Sequence, residues 1–149
     1  MNDFDKKYSD ALDENDEKVR AFATLVREYL PPFLDDLFDA ARQIAKVARL
    51  KTRRLPIPRF GNYPQPGGCR IEIYKGIGFF TRSRKVAIVD IEHSRDRKDR
   101  RGGSLYIDIR VGSSSFDAYR LLTERQLLLE DVRKALEDCV IKYAVVRKK

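Results

Sequence analysis

Apolar residues recur at three- and four-residue spacing over two stretches in the first third of the chain. Val19, Phe22, Ala23, Val26, Tyr29 and Leu30 fall on one stripe, and Leu34, Leu37, Phe38, Ala41, Ile44, Ala45 and Ala48 on another. That period predicts two amphipathic helices, over 16–30 and 33–50, the second extending as far as Arg53. Asp13, Asn15 and Asp16 offer caps to the first. Pro31-Pro32 separates the two, because the residue before a proline avoids the helical region. The pair is therefore expected to fold as a helical hairpin.

The period then changes to two. Cys69, Ile71 and Ile73 alternate with Arg70, Glu72 and Tyr74, and Leu105, Ile107, Ile109 and Val111 with Tyr106, Asp108 and Arg110. Both read as half-buried strands. Residues 85–93 are apolar on both sides in their middle, the mark of a central strand. Residues 78–82 predict a short strand, and 116–122 an edge strand or an irregular link. Gly112 with Ser113, Ser114 and Ser115 marks a turn. Residues 54–68 hold four prolines and three glycines and predict a loop or a polyproline-like arm. Leu128, Val132, Ala135, Leu136, Cys139 and Tyr143 return to helical spacing, with Thr123 and Gln126 placed as a capping box.

The expected fold class is α+β: an N-terminal helical hairpin, an antiparallel sheet of three to five strands, and a C-terminal helix packed on the sheet. One domain over 1–149 fits the length. Residues 1–15 are an acidic segment, read as mobile or as folded over a basic face.

Charge sharpens the picture. Lys and Arg number 31 against 23 Asp and Glu, a formal net charge of +8. The charge is also segregated. Residues 1–17 carry seven acidic and two basic side chains, net −5; 42–59 carry seven basic and no acidic ones, net +7; 82–103 carry eight basic and four acidic ones, net +4. A chain so arranged favours acidic partners. Arg42, Lys46, Arg49 and Arg53, spaced four, three and four apart, form a basic ridge on the second helix. The same cations also suit the negative end of that helix.

Arg54 and Arg59 stand beside Phe60 and Tyr63 in the proline-rich segment, a pairing that serves phosphate contact and base stacking. The loop at 95–101 adds Arg95, Arg97, Lys98, Arg100 and Arg101, flanked by Arg82, Arg84 and Lys85. Arginine outnumbers lysine by 19 to 12, which suits bidentate phosphate contacts.

Other chemistry is thinner. Asp90 and Glu92 share a strand face, with Asp108 and Glu72 on neighbouring strands. They are the weak candidates for a metal-dependent nuclease. In that class a lysine is expected where Asp108-Ile109-Arg110 carries arginine. His93, the only histidine, is a candidate base with Arg95, Arg97 and Tyr106 in a metal-free ribonuclease site. No glycine-rich nucleotide loop, nucleophile elbow or paired-histidine metal motif is present. Cys69 and Cys139 are isolated and read as buried free thiols.

The sequence thus predicts a non-enzymatic basic binding protein that contacts nucleic-acid phosphates, DNA or RNA, with no cofactor. A protein-binding inhibitor or adaptor of the mobile-element kind, docking on an acidic surface, is the alternative. The absence of an apolar leader or long apolar run predicts a cytoplasmic protein without a membrane partner, as monomer or homodimer.

Overall fold

The computed structural model describes residues 2–56, 67–76, 84–96 and 104–147. Helices α1 (Asp3–Thr24) and α2 (Leu30–Val47) are joined by a π-helical turn, Leu25–Tyr29. The sheet strands are β1 (Lys51–Leu55), β2 (Gly67–Lys75), β3 (Arg84–Asp96), β4 (Ser104–Val111) and β5 (Ser114–Asp117). A 3₁₀ turn, Ala118–Leu122, leads into α3, Arg125–Arg147. The α+β class, the antiparallel sheet and the C-terminal helix match the sequence reading.

The N-terminal hairpin does not form. Residues 3–47 make one helical run, about 65 Å long. Pro31 and Pro32 sit in the first turn of α2, where missing N–H groups cost little because they would have no partner within that helix. The π turn splices the two helices, with the Leu30 N–H donating five residues back to the Leu25 carbonyl. It also brings Leu25 into the core beside Leu30, a residue the regular stripe passed over. The acidic segment is helical from Asp3, capped by the Asn2 side chain, which accepts from the Asp5 N–H at 2.9 Å. α1 contains no buried residue.

The second helix ends sooner than its cation spacing implied. Arg49 takes φ 57°. The Leu50 N–H reaches back to the Ala45 carbonyl at 2.8 Å and the Arg49 N–H to that of Lys46 at 3.2 Å. This is a Schellman ending with arginine where glycine is usual. It turns the chain into β1, so Arg53 lies on a strand and not on the helix ridge.

The sheet runs β1-β2-β3-β4-β5, every neighbour antiparallel. Its inner face carries Ile71 and Ile73 of β2, Val89 and Ile91 of β3, and Ile107 and Ile109 of β4, all buried. Against it pack Phe33, Leu37 and Ala41 of α2 and Leu128, Val132 and Leu136 of α3. The outer face is ionic. Arg53 pairs in register with Glu72, Arg70 with Asp90, and Asp90 with Arg110, while Glu92 faces Asp108.

Gly112 turns β4 into β5 at φ 59°. A Cβ there would meet only the Cys139 Sγ at 3.6 Å, an ordinary contact, so the penalty for Gly112→Ala is backbone strain alone. We expect about 1 kcal/mol and a melting temperature lower by about 4 °C in thermal denaturation. Thr123 is not a helix cap. Its N–H closes the 3₁₀ turn on the Arg120 carbonyl, and α3 begins after Glu124.

Candidate anion-binding groove between α2 and β1

Arg42 and Lys46 stand one helical turn apart on the exposed side of α2. The Schellman ending lays β1 alongside that side, which adds Lys51. Tyr74 of β2 is the register partner of Lys51. These elements enclose an open groove of about 690 Å³, with Asp39 at its rim. Arg53 lies over the Tyr74 ring at 4.3 Å from its centroid, and Arg42 over Phe38 at 5.8 Å. Among the described residues, Arg42, Lys46, Arg49 and Lys51 meet no carboxylate at ion-pair distance.

The remaining arginines and lysines named from sequence are differently employed. Arg53 donates to Glu72 at 2.5 Å, and Lys85 stands 3.4 Å from the same carboxylate. Arg54 donates to Asp35 at 3.0 Å, and its contacts with Cys69 and Asp35 raise its affinity for its proton. Arg84 packs over the Tyr143 ring at 5.3 Å. Arg95 is near the far end of β3, opposite Leu105. Arg59, Arg82, Arg97, Lys98, Arg100 and Arg101 lie outside the described residues, as do Phe60, Tyr63 and the strand expected at 78–82. The structure thus brings Arg42 and Lys46 into one site and adds Lys51 and Tyr74, which sequence reasoning missed. Lys51 was hidden because 51–53 read as the tail of a helix, and Tyr74 because only strand pairing sets it beside Lys51.

The carboxylates share the outer sheet face, as their alternation required, but Glu72, Asp90 and Asp108 are held by arginines. Arg70 grips Asp90 with two donors, at 2.6 and 3.0 Å. Arg110 donates to Asp108 at 2.5 Å, and the Ser115 hydroxyl donates to its other oxygen at 2.8 Å. Among the described residues no three Asp, Glu, His or Cys side chains are grouped closely enough to hold a metal ion.

His93 lies on the inner face, edge-on to Phe22 at 6.3 Å between ring centroids. Burial pushes its imidazole below the usual range. It lines a separate cavity of about 380 Å³ with Val26, Leu30, Arg54 and Cys69. It is therefore away from the outer-face carboxylates. Among the described residues no helix is long and apolar enough to cross a membrane.

Fold and groove together define a class: a helix-backed antiparallel sheet with an open ionic face and a cationic cleft at one edge. No protein-family model, no curated protein and no solved structure matches the chain.

Proposed function

We propose that this chain is a non-enzymatic binding protein that grips nucleic-acid phosphates in the α2–β1 groove. One observation carries the reading: Arg42, Lys46 and Lys51 line one groove without carboxylate partners at ion-pair distance among the described residues, while the neighbouring Arg53 and Arg54 are neutralised. Cations left uncompensated on a folded surface repel one another, and a polyanion relieves that repulsion while releasing its own counterions. Tyr74 offers a ring beside the cations on which a base can stack. Such contacts position a backbone and read little sequence.

The test is binding of the purified full chain to short duplex DNA, single-stranded DNA and structured RNA at ~50 and ~200 mM salt. Steep loss of affinity with salt, on a slope of several phosphates, is the expected result and selects the nucleic-acid class. No binding to any of the three at the lower salt overturns the proposal and turns attention to an acidic protein surface.

A further inference from the structure

Two exposed apolar patches sit at opposite ends of the long helical run. On α1, Phe4, Tyr8 and Leu12 are spaced four apart and form one stripe, with Phe4 and Tyr8 stacked at 6.2 Å. They are 70, 60 and 49% exposed. The other patch lies where α2 meets α3. There Ile44, Val47, Ala48, Val140 and Ile141 line a mostly apolar groove of about 470 Å³, with Val47 89% and Ile141 60% exposed. Water-exposed apolar stripes of this kind are a standing cost for a protein that keeps them uncovered.

Their surroundings are opposite in charge. Around the α1 stripe, residues 3–17 carry seven acidic side chains against two basic ones, Lys6 and Lys7, net −5. Lys46 on α2 and Arg49 just past its end flank Val47 in the chain, while Arg133 and Glu137, which both line the α2–α3 groove, pair with each other at 3.2 Å. An amphipathic acidic helix suits an apolar groove whose charged lining is internally paired and whose α2 end carries Lys46 and Arg49. The two cannot meet within one molecule. Leu12 and Val47 are 35 residues apart on one continuous helical run, which separates them by about 50 Å.

We propose that the acidic α1 arm of one copy docks into the α2–α3 groove of a second copy. The contact is reciprocal: each arm fills the other's groove, which gives a closed twofold dimer with two equal seats. The apolar stripe supplies the attachment and the flanking charges the orientation, so association weakens as salt screens the charges.

Sedimentation of the full, nucleic-acid-free chain tests this. Wild type is expected to dimerise with concentration, and less so at ~500 mM salt. An arm variant, Phe4→Ser with Tyr8→Ser and Leu12→Ser, and a groove variant, Val47→Asp with Ile141→Asp, are each expected to lose at least about tenfold in association. All five positions are solvent-exposed, so circular dichroism should show both variants folded. Mixed one to one, the variants should associate again through the single intact seat, the groove variant's arm in the arm variant's groove. A wild type that stays monomeric at ~100 µM overturns the proposal. So does an arm variant that still dimerises, or a mixture no more associated than its parts.

Discussion

Glu72→Ala is expected to destabilise the fold by about 3 kcal/mol, the lower end for breaking a buried ion pair. Glu72 is 1% exposed, yet it lies on the outer, ionic face of the sheet. Arg53 and Lys85 cover it, and both keep part of their own surface in water, which is why the lower figure applies. Urea denaturation at neutral pH should show the midpoint falling with an unchanged slope. Acid sharpens the test. Burial pushes the Glu72 carboxyl up, but the Arg53 hydrogen bond and the charges of Arg53 and Lys85 outweigh it and hold the group below its ordinary value of 4.5. A carboxyl lowered on folding contributes stability that is present above the unfolded value and lost as pH falls through the folded one. Wild type should therefore weaken from pH 4.5 downward, and Glu72→Gln should weaken less over that window. Equal acid slopes would assign the effect to other carboxylates.

Removing three groove cations, Arg42→Ala with Lys46→Ala and Lys51→Ala, should lower the salt slope of duplex binding by ~2.7, at ~0.9 for each phosphate no longer neutralised. These side chains are exposed and, among the described residues, meet no carboxylate, so the melting temperature should hold within experimental scatter. That combination separates a binding role from a structural one. The parallel triple Arg97→Ala, Arg100→Ala, Arg101→Ala measures the arginine loop's share. If the loop triple flattens the slope and the groove triple does not, the groove is not the phosphate site.

How much of this could be read from residues alone depended on whether the local pattern and tertiary structure agreed. β2 and β4 were plain because alternation is what a sheet with one buried face imposes. α3 was plain because its stripe, Leu128 to Tyr143, spans about four turns. The hairpin error came from taking Pro31-Pro32 as a stop, when a widened turn just before them lets the chain continue as helix. β1 was hidden for a related reason. Cations spaced four, three and four apart fit a helix face, and no glycine announced the left-handed ending at Arg49. The binding site was half visible: Arg42 and Lys46 stood out by spacing, whereas Lys51 and Tyr74 join them only through strand pairing. Which arginines carry uncompensated charge was not legible at all, because Asp35 and Glu72 are distant in sequence from the Arg54 and Arg53 they neutralise.

The outer-face charges also spell the alignment of the strands. A slip of one residue is punished by exposing the apolar face, but a slip of two keeps every side chain on its proper face and so escapes that penalty. Here it meets another. Sliding β2 two places along β3 in one direction sets Glu72 opposite Asp90, and sliding β1 two places along β2 sets Arg53 opposite Arg70, reckoned from the observed register. Like charges directly across a ladder repel. Across β1, β2 and β3 the ionic face thus works as a vernier, rejecting two of the near-miss registers that hydrophobic patterning alone would accept; between β3 and β4, where Glu92 faces Asp108, it does not.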